Sequence, residues 1–176
     1  MSVAPGPAAA PCLDAGLLRR HGGLELLRML LEGTLPMAPI AATLGFRLVE
    51  VERGRVAFEG VPSRAVYNLH GTAHGGWAAT LLDSAMGCVV LSVLPPGVGH
   101  TTTELSIRYV RAIGEATGPV RAEATILHAG RRLATAEGRL VGLACGRLYA
   151  HGQTSCLVLP LGEEGVFGAS QGGSRP

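Results

Sequence analysis

The rhythm of hydrophobic and polar positions changes along this chain. From Leu17 to Leu31 apolar residues recur at helical spacing, with a break near Gly22-Gly23. Pro36 to Leu44 predicts a short helix ended by Gly45. Phe46 to Val61 alternates with period two around Arg53-Gly54 and predicts a hairpin. Arg64 to Ala73 follows neither period and reads as loop. Gly75 to Leu94 is almost continuously apolar. It predicts one long helix, stopped by Pro95-Pro96-Gly97. Beyond it His100–Val110, Val120–Leu127, Arg132–Leu143 and Arg147–Leu159 alternate again. Gly114, Gly118, Gly130 and Gly146 punctuate them, as in a meander of about four strands.

A lone helix that is apolar nearly all round needs cover on most sides. Six antiparallel strands curled about it would supply that cover. The expected class is therefore α+β, with a curved sheet wrapped around one central helix. The sheet's outer face and edges would then favour pairing with a second subunit. One domain is expected over residues 15–160, with an N-terminal helical extension. It would lie between disordered tails at 1–14 and 161–176, rich in Ala and Pro at one end and in Gly and Ser at the other. Gly75 to Leu94 is long enough for a bilayer. Asp83 and three glycines inside it favour a buried core helix over a membrane span.

Composition narrows the function classes. At 47% hydrophobic and 16% charged residues, the chain is rich in core and thin in surface charge, which points to surface buried in an oligomer. A net charge of +2 argues against nucleic acid, and 4% aromatics argues against a base-stacking platform. All 15 basic residues are Arg, which fits a GC-rich genome better than a function. Cys12, Cys88, Cys145 and Cys156 share no metal-type or C-x-x-C spacing. The N-terminus lacks the basic and apolar regions of a secretion signal. A reduced, cytoplasmic protein is expected.

One carboxylate, Asp83, stands in the most apolar stretch. On a helix its neighbours at three and four residues are Ala79, Thr80, Met86 and Gly87, with Gly76 further along. Most are small, so this face is low and open to a ligand or another chain. No Arg lies within a turn to pair with it, and an unpaired buried charge is costly. Gly75-Gly76 opens the same helix. Its first N–H groups have no internal acceptor and carry the positive end of the dipole. They suit an anion or a developing oxyanion. Asp83 lies eight residues beyond Gly75, about 12 Å along the axis. One chain's Asp83 cannot easily serve the atom held by its own Gly75. An antiparallel partner helix would bring Asp83 of one subunit to Gly75 of the other.

Asn68, then His74-Gly75-Gly76, then Asp83, spaced N-x5-HGG-x6-D, resembles the motif of hotdog-fold acyl-CoA thioesterases, most closely the phenylacetate-pathway (PaaI-type) branch. The segments LGFRLVEVERGRVAFEGVP, ELSIRYVRAIGEATGPVRAEATILHAGRR and GRLYAHGQTSCLVLP extend the resemblance over about Pro36 to Pro160. The resemblance implies that the Gly75 N–H polarises a thioester carbonyl. Asp83 would act as general base on water or as nucleophile. Asn68 and His74 would orient thioester or water. A strand hydroxyl, Thr102 by alignment on ELSIRY, would hold the carboxylate, with Thr101 and Thr103 as rivals whose side chains should face the other way. Read alone, Asn68 is equally a loop or capping residue, His74 a helix cap, and Thr102 an ordinary strand threonine.

The implied activity is hydrolysis of acyl-CoA or aryl-CoA thioesters. Coenzyme A enters as part of the substrate, and no other cofactor and no metal is required. His70 and His74 are four apart, but the glycines around them oppose the unbroken helix a zinc pair would need. The implied partners are the thioester and a second copy of the chain, with no nucleic acid and no membrane. The split site implies a homodimer, and similar enzymes are often homotetramers. Two other readings compete: a non-catalytic acyl-CoA-binding module, and a hotdog hydratase or dehydratase. HGGWA replaces the proline-bearing pattern usual in the latter. Arg131-Arg132 could meet coenzyme A phosphates or simply form a solvated turn; His151 carries no assignment.

Overall fold

A computed structural model describes residues 15–161; the expected tail at 1–14 and all but the first residue of that at 161–176 lie outside the described residues. The elements follow the predicted order. The first helical stretch is split into α1 (Ala15–Arg20) and α2 (Gly23–Leu31), broken where Gly22-Gly23 stands. α3 (Pro39–Leu44) starts on a proline and ends on Gly45, whose φ of 70° is left-handed and suits glycine as a helix stop. β1 (Phe46–Glu52) and β2 (Arg55–Gly60) form the hairpin. α4 (Gly75–Leu91) is the long helix, followed by β3 (Val98–Tyr109), β4 (Val120–Ala129), β5 (Leu133–Gly142) and β6 (Leu148–Pro160).

Two expectations about the secondary-structure elements need correction. The last four strands are not a simple meander. The sheet runs β1-β2-β4-β5-β6-β3, all antiparallel, so β3 sits at the edge beside β6 and β4 pairs with β2. Alternation reports that a segment is a strand but not which strand it pairs with. The link from β3 to β4 is a crossover anchored at the start of α4, where the Ala73 N–H donates to the Ile113 carbonyl. The helix is also shorter than the apolar run. It ends at Leu91, and Ser92 to Leu94 leave it in a tight turn. Buried Ser92 donates its hydroxyl to the Val89 carbonyl at 2.7 Å and accepts the Gly54 N–H at 2.9 Å, which ties the β1–β2 turn to the helix end.

α4 lies along the sheet and packs against β2 through β6. Its buried face holds Trp77, Ala78, Leu81, Leu82, Ala85, Met86, Val89 and Val90. Each large apolar side chain here stabilises the fold by about 1.5–3 kcal/mol through burial alone. Gly138 of β5 lets the helix come close, because a Cβ there would stand 3.1 Å from both Leu82 and Met86. At the helix start, the Trp77 indole N–H donates to the Leu44 carbonyl at 2.8 Å and locks α3 to α4. Ala79, Thr80, Asp83, Ser84, Gly87 and Cys88 are only partly buried and form a continuous low stripe on the other side. Met86 does not belong to that stripe, contrary to its place among the expected neighbours of Asp83; it is fully buried against the sheet.

No described helix is long and apolar enough to cross a membrane. The outer side of the hairpin region carries an ion network. Arg121 on β4 reaches Glu50, Glu59 and Glu123, and Arg47 and Arg55 add further pairs.

Candidate active site

The sequence candidates fall into two groups, one at each end of a helical stretch of two turns. The first surrounds the N-terminus of α4. His74 caps the helix: its Nδ1 accepts the Gly76 N–H at 2.9 Å. That bond requires an unprotonated Nδ1, which leaves Nε2 as the position of the ring proton in the neutral side chain. It also commits the Gly76 N–H. The Gly75 N–H, first in the helix, has no acceptor within α4 and is the donor left for a ligand. Tyr109, from β3, covers this end. Its hydroxyl donates to the Gly75 carbonyl at 3.0 Å, and a Cβ on Gly75 would stand 3.1 Å from its ring. A side chain at Gly75 would have to push the Tyr109 ring aside by a few tenths of an ångström. A cleft of about 310 Å³ opens beside Gly75, between Ala73, Ala78 and the strand end running from Tyr109 to Ile113.

Asn68 organises the loop that leads into the cap. Its Oδ1 accepts the His70 N–H at 2.9 Å and the Thr72 N–H at 3.3 Å, and its Nδ2 donates to the Thr72 hydroxyl at 3.1 Å. Its backbone N–H donates to the Thr72 carbonyl. The side chain is thus turned inward on its own loop, the role that an asparagine in a tight turn ordinarily plays.

The second group lies two turns along α4. Asp83 is partly buried on the low stripe, and the Thr102 hydroxyl donates to its Oδ1 at 3.3 Å, long for a hydroxyl on a carboxylate. Burial pushes the Asp83 carboxyl above the ordinary 3.8, and the Thr102 hydrogen bond opposes part of that rise. Thr102 also contacts Cys156 Sγ at 3.9 Å. With the hydroxyl proton directed to Asp83, the Cys156 thiol is the group left to donate to Thr102. Burial, with the Asp83 charge second, pushes the Cys88 thiol up to about 12, so the sulfur nearest Asp83 on the helix stays protonated.

The choice of Thr102 over its neighbours follows from the strand. β3 pairs regularly with β6 up to Thr102↔Cys156, and a bulge then leaves Thr103 unpaired before Glu104↔Ser155. Thr103 donates to the Ser155 carbonyl at 3.0 Å rather than to the helix. Thr101 lines the rim of the Asp83 groove without bonding the carboxylate. That groove, about 400 Å³, runs from Asp83 and Thr102 past Ser84, Gly87, Cys88 and His100 to Leu91.

Within one chain, then, Asp83 meets Thr102, and His74 meets Gly75-Gly76, but the two groups stay about 12 Å apart along the axis. Tyr109, Cys156 and His100 also belong to these sites. Their signals were weak, because each is a single residue in an alternating strand whose facing depends on register. Arg131 and Arg132 are exposed at the β4–β5 turn, and His151 lies on β6 opposite Arg139.

Residues 70–143 match the model of the thioesterase superfamily. Solved structures share this fold over part of the chain, from 68% to 76% of it in the three that follow. A thioesterase family protein of Silicibacter pomeroyi aligns with a TM-score of 0.69 at 24% identity, over 76% of this chain and 98% of its own. A phenylacetic acid degradation-related protein of Ralstonia eutropha aligns with a TM-score of 0.68 at 26% identity, over 74% and 98%. The phenylacetic acid degradation protein PaaI of Thermus thermophilus, solved as a point mutant, aligns with a TM-score of 0.62 at 27% identity, over 68% and 98%. A protein of Halobacterium salinarum named as an esterase is 39% identical over 69 residues, 38% of this chain. The match spans only 44% of that curated relative's length.

Proposed function

We propose that this chain, whose residues 70–143 match the thioesterase superfamily and whose hotdog fold is shared with solved thioesterases, hydrolyses acyl-CoA or aryl-CoA thioesters to the free acid and coenzyme A. The observation that carries this reading is the Asp83–Thr102 pair on an open groove, where the carboxylate has no ion pair among the described residues. A carboxylate held partly out of water, and not neutralised by an ion pair, is a base or nucleophile in waiting. Asp83 takes a proton from water as it adds to the carbonyl carbon, or attacks that carbon itself. The carbon–sulfur bond then breaks, and the departing thiolate takes a proton; on the second route the acyl group is left on Asp83 as a mixed anhydride, which water cleaves to the free acid. A thiolate is a good leaving group, so the step needs no metal.

The negative charge that develops on the carbonyl oxygen needs a donor, and the Gly75 N–H at the positive end of α4 suits it. His74 orients that end by holding Gly76. Asn68 shapes the loop against which the substrate rests. Thr102 orients Asp83. Because Asp83 and Gly75 of one chain are too far apart, two chains are required. The low stripe of α4 and the edge strand β3, with Leu105 and Tyr109 exposed on it and Val110 just beyond its end, form the surface a second copy would cover. The complete unit is a homodimer with sites shared across the interface, and two dimers joining as a tetramer is compatible with it. Low net charge fits a protein acting on a dissolved thioester, and the free thiols of Cys88, Cys145 and Cys156 fit the reducing cytoplasm.

The phenylacetate connection of the Ralstonia and Thermus relatives makes arylacetyl-CoA the first substrate to try. The test is release of free thiol from a panel of acyl- and aryl-CoA thioesters, with wild type beside Asp83→Asn. Turnover by wild type and its loss in a folded mutant support the reading. Binding of thioesters without turnover by either protein would replace the enzyme with an acyl-CoA-binding module.

A further inference from the structure

The backbone at the entry to α4 is fixed by other backbone. The Ala73 N–H donates to the Ile113 carbonyl, the His74 N–H to the Val66 carbonyl, and the Trp77 N–H to the His74 carbonyl. At the peptide that joins Gly75 to Gly76, side chains add a bond at each end. Its carbonyl accepts the Tyr109 hydroxyl at 3.0 Å, and its N–H donates to His74 Nδ1 at 2.9 Å. The following carbonyl, that of Gly76, accepts the Thr80 hydroxyl at 2.8 Å. Two glycines in succession carry the greatest backbone freedom, and a helix offers its first N–H groups no acceptor of its own. The two side-chain bonds remove that freedom at the place where the Gly75 N–H must be aimed.

Tyr109 stands on a backbone fixed by the sheet. It is the last residue of β3, opposite Ala150 of β6, and the next two residues, Val110 and Arg111, both donate their N–H groups to the Tyr149 carbonyl. Its ring lies over Gly75, with Cζ 3.1 Å from where a Cβ of that residue would stand. A hydroxyl that donates to a carbonyl strengthens the donor at the other end of the same peptide. The chain from the Tyr109 hydroxyl through the Gly75–Gly76 peptide to His74 Nδ1 thus runs in one direction, and it keeps the ring proton of neutral His74 on Nε2. Tyr109 is 57% exposed. Water would serve its hydroxyl about as well as a carbonyl does, so this bond adds little to the stability of the fold.

We propose that Tyr109 is a positioning residue: its hydroxyl fixes the Gly75–Gly76 peptide and, through it, the direction of the Gly75 N–H and the seat of the His74 ring. The proposal rests on the hydrolase reading of this site. Tyr109 itself touches no reacting atom in it. A donor aimed in advance needs no rearrangement as charge develops on the carbonyl oxygen, so the gain belongs to the transition state and not to the bound substrate. The hydroxyl should therefore act on kcat and leave KM nearly unchanged.

The test is Tyr109→Phe, which keeps the ring over Gly75 and removes only the hydroxyl. Wild type and variant are compared, at equal oligomeric state, by amide hydrogen exchange at Gly75 and Gly76 read by NMR, by melting temperature, and by kcat and KM for the acyl- or aryl-CoA thioester that wild type turns over fastest. Exchange at Gly76 is expected to rise about fivefold, the worth of one hydrogen bond. The kcat should fall about tenfold, less than the ~10²-fold loss of an oxyanion donor itself, with KM and melting temperature unchanged. Unchanged exchange at Gly76, an unchanged kcat, or a loss confined to KM overturns the proposal while leaving the hydrolase reading intact. A fall in kcat matched by a lower melting temperature overturns it too, since the hydroxyl would then act on the fold. Should wild type hydrolyse no thioester, the hydrolase reading fails and takes the effect on kcat with it. Exchange then decides whether the hydroxyl fixes the helix start: a fivefold rise at Gly76 upholds that, and no rise overturns it.

Discussion

The Thr102 hydroxyl points at Asp83 across 3.3 Å, from an edge strand to the open side of the central helix. It is the one hydrogen bond described for that carboxylate, and it is long. Asp83 is therefore positioned but weakly held, as a group that must accept a proton or attack a carbon needs to be. Asp83→Asn keeps the shape and removes the basicity. We expect kcat/KM for thioester hydrolysis to fall at least ~10³-fold, with the fold and oligomeric state unchanged. A folded Asp83→Asn protein with more than about a tenth of wild-type activity would remove Asp83 from the chemistry.

The pH profile should carry the same signature. Burial raises the Asp83 pKa above 3.8, and only the Thr102 hydrogen bond opposes it. The acid limb of kcat/KM should lie above the range of an exposed aspartate, with activity lost as Asp83 protonates. Thr102→Val removes the opposing hydrogen bond, so its limb should move to higher pH and its maximal rate should drop. A limb that stays in place in Thr102→Val shows that the hydroxyl does not act on the carboxylate. Stability should change in the opposite sense. The folded state holds the Asp83 proton more tightly than the unfolded chain does. Between 3.8 and the raised value the folded state binds more protons, so this group's contribution to stability falls as pH rises through that window. At neutral pH the charged Asp83 is a cost, and Asp83→Asn should melt no lower than wild type.

Parts of this candidate site are legible in the sequence. The carboxylate announced itself because nothing near it in sequence could pair with it, and the helix start announced itself through Gly75-Gly76. The hairpin around Gly54 and the stop at Gly45 were legible because both glycines have positive φ, at 80° and 70°. What stayed hidden depends on register. Thr102 is singled out by resemblance rather than by alternation, which does not register the bulge at Thr103. His100 reaches the groove only because it lies two residues before Thr102 and opposite a glycine. The edge position of β3 is a property of the crossover, which alternation does not encode. Asn68 shows the converse: its loop role was the plainer reading, and its side chain is occupied within residues 68–72.

His74 gives a test that separates scaffold from chemistry. As the cap of α4, its loss in His74→Ala should cost about 1 kcal/mol of stability, seen as a lower denaturant midpoint at unchanged slope. His74→Asn, which can cap with its own side-chain oxygen, should recover most of that. If stability is recovered and kcat with it, His74 acts by positioning the helix start. If kcat stays low in the stable His74→Asn protein, the ring itself touches substrate or water.

The shared site makes the sharpest prediction. Gly75→Pro removes the N–H proposed to hold the carbonyl oxygen, at the helix position where proline is best tolerated and after a residue, His74, already extended at φ −62° and ψ 138°. Its ring must find room beside Tyr109, so folding is checked by circular dichroism and size. Gly75→Pro and Asp83→Asn proteins should each be inactive alone. When they are unfolded together and reassembled, half of the dimers contain one of each. In such a dimer the intact Asp83 of one chain faces the intact Gly75 of the other, and the second site carries both lesions. About a quarter of wild-type activity should return, one working site in every second dimer. If each site were built within one chain, both sites of the mixed dimer would carry a lesion and no activity would return.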